Sequence, residues 1–460
     1  MSQKYIIFLK TKLSLQKKNP FLYFTVINNK SFKYMLEVNY IKENKDAVLN
    51  SLKKKNFPAD EFDILDRIIE LDNRRKKIQA SLDVFLGQIK SISNEVGILF
   101  KSGKGAEANE LKEKVKGLKE SSSSLQEEQK QVRIDLENLL LQVPNITNDI
   151  VPDGNSEDDN IVTKDWSGDL PDLGENAIPH WELAKKYNIF DLELGVKLTG
   201  AGFPVYIGKG AKLQRALINF FLDEGEKAGY TEYEVPILVN ADSARGTGAL
   251  PDKEGQMYHV VKDEFYLIPT AEVPLTNIYR DVILKEKDFP ILLTGFTPCF
   301  RREAGSYGAH VRGLNRLHQF DKVEIVQIQH PDKSYETLDK MVSYVQTLLE
   351  KLELPFRILT LCGGDTSFAS ALTYDFEVFS AAQKRWLEVS SISNFESFQS
   401  NRLKLRFKDK NGKTRLAHTL NGSAMALPRI VAALLENNQT EKGIKIPEAL
   451  KPYLNFDIID

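Results

Sequence analysis

Cysteine is almost missing from this 460-residue chain. Cys299 and Cys362 stand alone and far apart, which excludes a disulfide framework and a thiolate-rich zinc site. Both are expected to be packed thiols, and such sparing use fits a reducing, cytoplasmic setting. No apolar run approaches the roughly 18 residues of a membrane span, so no membrane partner is expected. Excess charge is missing as well. With 62 Lys+Arg against 64 Asp+Glu, the net charge of -2 does not mark a DNA-binding protein, and any nucleic-acid surface must be local. No glycine-rich loop of the P-loop or dinucleotide type occurs. The first 34 residues carry seven lysines but no Asp, Glu or Arg. A transit peptide would usually bring arginine and serine, and a secretory signal a cleavage site of small residues. The segment reads as a dispensable extension, with Met35 as the functional start.

The length predicts two or three domains. In the first, Ile64, Ile68, Leu71, Arg75, Ile78, Leu82, Phe85, Ile89, Ile92, Val96 and Leu99 follow one another at alternating steps of four and three. That is the a/d seam of a heptad, interrupted only by Arg75. After "KSGKGAEA" the pattern resumes through Leu111, Val115, Leu118, Ser122, Leu125, Gln129, Val132, Leu136 and Leu139. Glycine and serine between two seams predict a hairpin, hence an antiparallel coiled-coil arm over about residues 62–141 and about 54 Å long. Heptads alone would equally serve dimerisation. A hairpin closed within one chain leaves its polar faces free, and "DNRRKKIQ" (Asp72 to Gln79) is able to face a phosphate backbone. The polar, Pro- and Asp-rich stretch 143–175 reads as a linker between an N-terminal domain, 35–142, and a C-terminal domain, 176–460.

Beyond His180 helices and β-branched strands alternate without a regular βαβ order, which predicts an α+β domain on a largely antiparallel sheet. "KLQRALINFFLDEGEKAG" is an amphipathic helix, and "YTEYEVPILVN" a strand interrupted by Pro236. The stretch Phe296 to Phe320, "FTPCFRREAGSYGAHVRGLNRLHQF", concentrates four arginines against one carboxylate. It reads as a strand, a polar loop and a returning strand, so that Arg301, Glu303 and Phe320 flank the loop. A nucleotide suits these types: Arg301 forks onto a phosphate, Phe320 stacks on adenine, and Glu303 accepts from the adenine amino group. By residue type alone, a solvated surface hairpin is an equal reading. Arg429 stands in the first turn of the helix in "LNGSAMALPRIVAALLENNQ", where the helix dipole disfavours a cation, which suggests that it is held for a ligand. Glu388 and Ser391, three residues apart in "RWLEVSSISNF", are able to present oxygens to a Mg²⁺ that bridges phosphates. His310 is expected in the loop and His318 as a strand contact, neither as a catalytic base. Gly363 and Gly364 form a turn.

Taken together, these residues resemble the bacterial type of seryl-tRNA synthetase, a class II aminoacyl-tRNA synthetase, over Met35 to Asp460. "YEVPILVN" is similar to the class's first motif, "FRREAGS…RLHQFDKVE" to its second and "NGSAMALPR" to its third. "TAEVPLTN" (Thr270 to Asn277) resembles the family's serine-pocket sequence, and the helical hairpin its tRNA-binding arm.

The resemblance implies a class II catalytic domain with a coiled-coil arm, and a ligase that makes seryl-adenylate from L-serine and ATP. The seryl group then passes to tRNA(Ser), which has a long variable arm, with tRNA(Sec) left open as a second acceptor. Carried over by position, it implies ATP binding by Arg301, Arg302, Glu303, Phe320, Glu388, Val389, Ser390, Ser391 and Arg429, with Arg301 and Arg429 acting on the phosphates. It implies serine binding by Thr270, Ala271, Glu272, Arg301, Glu324, Asn421 and Ser423, Mg²⁺ held with ATP by Glu388 and Ser391, no zinc, and a homodimer. Ala424 and Pro428 stand where the third motif usually has glycines. Two other functions remain open: a ligase that loads a carrier protein, whose relatives lack a long arm, and an inactive tRNA-binding paralogue, which should have lost some of Arg301, Glu303, Glu388 and Arg429.

Overall fold

A computed structural model describes residues 38–253, 255–303 and 311–460. The extension 1–34, the start at Met35 and the loop residue His310 lie outside the described residues. The chain divides into one unit spanning Leu36–Pro144 and a larger one that includes Asn145–Asp460.

The smaller unit is dominated by two helices, α1 (Ile64–Lys101) and α2 (Gly105–Leu140). The heptad seam is what joins them. Ile78, Leu82 and Val132 form a buried cluster, with Leu71 and Leu125 against it. Polar rungs cross the hairpin beside that cluster: Gln129 donates to Gln79 at 2.8 Å, and Arg74 pairs with Glu128 at 2.7 Å. Between the helices Gly103 has φ +75°, a backbone conformation that glycine adopts without strain. The break in the seam at Arg75 has a specific form. Arg75 lies half-buried and turns back on Asp72, 2.7 Å away, while Lys76 reaches the same carboxylate at 2.6 Å. Burial alone would raise the Asp72 pKa, but the hydrogen bonds from Lys76 and Arg75 outweigh it and hold the carboxyl below its usual range. Of the basic stretch, Arg74, Lys76 and Lys77 are exposed.

In the larger unit, eight strands form one sheet: β1 (Ile161–Lys164), β2 (Thr231–Glu232), β3 (Ile291–Phe300), β4 (Gln319–Gln329), β5 (Phe356–Thr360), β6 (Leu372–Ser380), β7 (Arg385–Glu396) and β8 (His418–Ala426). Their spatial order is β1-β5-β6-β7-β8-β4-β3-β2. Every pairing is antiparallel except that of β2 with β3. The expected α+β class on a largely antiparallel sheet is therefore what forms. Three helices, α3 (Gly208–Lys227), α4 (Ser334–Lys351) and α5 (Leu427–Asn437), pack their apolar faces on the sheet.

Strand alternation then decides where the chemistry lies. Val323 and Ile325 of β4, Leu387 and Val389 of β7, Leu420 and Ala424 of β8, and Tyr374 and Phe376 of β6 belong to the core shared with those helices. Their neighbours Lys322, Glu324, Glu388, Asn421, Ser423 and Asp375 must face the other way. That opposite face is partly roofed by the short helix Glu272–Asn277, whose Leu275, with Ala271 just before it, packs on Leu293 and Val326.

The stretch 143–175 differs from the free linker its polarity suggests. Asn145 is buried and donates its side-chain amide to the carbonyls of Ala369 at 2.8 Å and Phe395 at 2.9 Å, while Ile161–Lys164 pairs with β5 as an edge strand. Turn-forming side chains satisfy the backbone here, Asp159 accepting from the Asn155 amide at 2.7 Å, so a segment without an apolar pattern is still ordered. None of the described helices is long and apolar enough to cross a membrane.

Candidate active site

Three neighbouring strands carry the site. Antiparallel register sets Glu324 opposite Ser423 on β4 and β8, and Ser393 opposite Asn421 on β7 and β8. On the far side of β4, Phe320 lies opposite Cys299 and Gln319 opposite Phe300, so the chain leaves β3 at Arg301 beside Phe320. The Arg301 guanidinium sits 5.4 Å from the centre of the Phe320 ring. The guanidinium covers the ring by a cation–π contact, and a base stacking on that face would take its place.

A polar pocket stands on the roofed side. Glu324, 1% exposed, receives the Lys322 ammonium at 2.6 Å and the Thr270 hydroxyl at 3.0 Å. Thr270 in turn accepts from the Glu272 backbone amide at 3.2 Å. The Glu272 carboxylate receives the Gln399 amide at 2.6 Å and a further hydrogen bond from Asn421, and Thr419 donates to Gln399 at 2.8 Å. Two carboxylates share this low-dielectric space with one ammonium. Burial first, and then the neighbouring Glu324, push the Glu272 carboxyl up to about 7, although Gln399, Lys322 and Asn421 all favour its charged form. A ligand ammonium is the species this arrangement lacks.

At the other end of the site Arg429 holds the Asn315 carbonyl at 2.9 Å through Nε and the Glu388 carbonyl at 2.7 Å through Nη1, with the Glu388 carboxylate 3.4 Å away. Glu388 is exposed, so the carboxylate is free to turn to a ligand. The Ser391 hydroxyl is bonded to Asp375, a buried carboxyl whose pKa is raised well above the usual range by burial and then by Glu388. Glu303 takes a left-handed backbone conformation, φ 47°, and pairs with Arg316 across the loop. Strain of this kind concentrates where a side chain must be aimed.

Not every residue implied by the resemblance faces this space. Val389 is buried in the core, so its backbone is what it can offer; Ala271 is likewise enclosed among apolar neighbours. Ser390 spends its hydroxyl on the Ser423 carbonyl at 2.6 Å, and Arg302 is exposed. His318 is a contact residue beside β4, bonded to Tyr258 at 3.0 Å and stacked on Phe203. Cys299 and Cys362 are buried and unpaired with each other. Lys322, Asp375 and Gln399 were missed by sequence reasoning. The first two carry a readable signal, since each alternates with core residues on its strand. Gln399 carries none.

No group of three or more His, Cys, Asp or Glu side chains among the described residues is arranged to hold a metal. A hard cation here would lean on Glu388 and Ser391 plus ligand oxygens, and a carboxylate with a hydroxyl fits that demand.

The family model described as the class II core domain of tRNA synthetases for G, H, P, S and T matches residues 258–438, and that of the seryl-tRNA synthetase N-terminal domain matches residues 35–147. The chain is 48% identical to a serine–tRNA ligase of Salinibacter ruber over 92% of this chain and 98% of that protein. It is 43% identical to one of Leptospira biflexa over 91% and 100%. Among solved structures it superposes with a TM-score of 0.84 on the Pyrococcus horikoshii seryl-tRNA synthetase complexed with ATP, 32% identical, covering 92% of this chain and 99% of that one.

Proposed function

The chain belongs to the seryl-tRNA synthetase family, and from that premise we propose how its sheet face activates L-serine with ATP and passes the seryl group to tRNA. The observation that carries the reading is the buried carboxylate pair, Glu272 and Glu324, joined through Thr270 at the strand that also carries Phe320 with Arg301 over its ring.

ATP lies with its adenine on Phe320, its amino group toward Glu303, its α-phosphate at Arg301 and its γ-phosphate at Arg429. Serine lies with its ammonium among Thr270, Glu272 and Glu324 and its hydroxyl toward Ser423 and Asn421. Arg301 turns the serine carboxylate to the phosphate. The serine carboxylate oxygen attacks the α-phosphorus, the bond to the bridging oxygen breaks, and pyrophosphate leaves with that electron pair. A hydroxyl of the terminal ribose of tRNA then attacks the seryl carbonyl and releases AMP. No side chain becomes a nucleophile. The chain contributes alignment and neutralisation of the charge that spreads over the phosphate oxygens. Mg²⁺, held with ATP by Glu388 and Ser391, supplies further charge neutralisation when bound. Alanine is rejected because it would leave buried polar groups without partners.

The arm is read as the grip on the long variable arm of tRNA(Ser), a double-stranded target met through shape and phosphates. A homodimer is proposed through the Lys212 to Val239 segment, where Leu238, on a strand edge, is 44% exposed. A cytoplasmic location accords with two free thiols. ATP–pyrophosphate exchange measured against all standard amino acids is the test: exchange with serine alone is expected, and exchange with a different amino acid in preference to serine would overturn the assignment.

A further inference from the structure

Arg429 and Glu436 stand seven residues apart on α5, about 10 Å along one helix face. Arg429 holds the backbone of Asn315. Glu436 is completely buried, and its carboxylate receives the His180 backbone amide at 3.0 Å, His180 Nδ1 at 2.7 Å, the Gln383 amide at 3.0 Å and the Ser380 hydroxyl. Burial would raise its pKa, yet the hydrogen bonds from His180 and Ser380 leave it below the usual range. His180 Nε2 accepts the Leu314 amide at 2.9 Å, so that nitrogen is bare and Nδ1 carries the proton. Gln383 passes its carbonyl to the Asn315 side chain, which donates at 2.9 Å. Gly313, φ +73°, lies so close that a Cβ there would stand 2.2 Å from His180 Nε2. Arg312 covers the Trp181 ring at 4.8 Å and reaches Glu182 at 3.2 Å.

Resting on the assignment of Arg429 to the ATP phosphates, we propose that Glu436, His180 and Gln383 form a buried clamp that positions residues 313–316 against Arg429. The clamp touches no substrate. It fixes both attachment points of the returning limb of the loop, the Leu314 amide and the Asn315 side chain. The Asn315 carbonyl then meets the Arg429 guanidinium edge-on, and Arg316 meets Glu303 on the adenine side. Gln383, Asn315 and His180 are positioning residues for ATP, and serine binding, at Thr270, Glu272 and Glu324, does not use them.

The full-length Gln383→Ala and Asn315→Ala variants and their double variant test this, in serine-dependent ATP–pyrophosphate exchange and thermal unfolding. Each single variant is expected to raise the KM for ATP about tenfold, the loss of one or two part-buried hydrogen bonds, with the KM for serine within about twofold of wild type and Tm little changed. The double variant should be no worse than the poorer single one, because both cut the same link. A wild-type KM for ATP in both single variants overturns the proposal. So does a parallel rise in both KM values with a large fall in Tm, which would mean general loosening. Arg429→Ala in the same assay separates the two levels: if it loses exchange while the clamp variants do not, the clamp alone is wrong; if it exchanges normally, the phosphate assignment beneath it is wrong.

Discussion

Serine binding should release a proton, and the amount follows from the Glu272 environment. Its carboxyl is held up to about 7 by burial and by Glu324, with Lys322, Gln399 and Asn421 pulling weakly the other way. Set against an ordinary glutamate value of 4.5, that rise amounts to roughly 3 kcal/mol of extra stabilisation of the neutral over the ionised form relative to water, which leaves the two forms near balance at neutral pH. The sign is clear. In the free protein the carboxyl is mostly protonated below that pKa and ionised above it; the substrate ammonium favours the ionised form. Binding therefore expels a proton where the group starts protonated, and the release fades as pH passes the raised pKa. With a single titrating group near 7, the Kd for serine should fall about tenfold between about pH 6 and about pH 8. Calorimetric titration in buffers of different ionisation enthalpy should count close to one proton released at the lower pH and close to none at the higher. Glu272→Gln, which keeps the carbonyl that Gln399 bonds, should flatten both curves. A serine affinity that does not change over this window in the wild type, or the same slope in Glu272→Gln, would refute the reasoning.

Arg301→Ala and Arg429→Ala should each lower the adenylation rate by the value of a charge-assisted contact, about 2 to 3 kcal/mol, with the fold intact by circular dichroism. Near-normal pyrophosphate exchange in either would remove that residue from the phosphate site. Deleting Leu71 to Leu136 and closing the stump with a short turn should spare serine-dependent exchange but abolish tRNA charging, and the steep salt dependence of tRNA binding should go with it. Charging by the truncated protein at the full-length rate would reduce the arm to a spacer. Sedimentation at micromolar concentration should find a dimer, and Leu238→Asp should shift it toward monomer; a fully active monomer in the wild type would sink that proposal.

Long-period patterns were legible and short ones were not. The alternating four-and-three spacing from Ile64 to Leu99 and from Leu111 to Leu139 marks both helices of the hairpin, because a heptad seam states which face is buried over many turns. The strand pair β3 and β4 was readable from apolar runs on either side of a polar loop. Edge strand β1 was not: four residues inside a polar stretch hold no periodicity, and what orders the segment is hydrogen bonding by Asn145 and Asp159. In the site, Arg301 and Phe320 belong to one contiguous segment, whereas Thr270 and Glu324 are 54 residues apart and meet only through the sheet. Residue types alone offered no reason to join them; the resemblance did. Lys322 would read as an ordinary surface lysine without the knowledge that its strand has one face in the helix-covered core.

Alternation on β4 also has a hereditary consequence. Polar side chains of the candidate site and side chains that fill the core alternate from Lys322 to Ile325, so the identity of each depends on the parity of its position. A substitution at one site stays local, but losing or gaining a single codon between them would drive Glu324 toward α5 and Val323 toward the substrate together. Such a lineage has no intermediate with half the function. Gene variants of this protein should therefore accumulate point changes along 319–329 while length changes are confined to the turns beyond its ends.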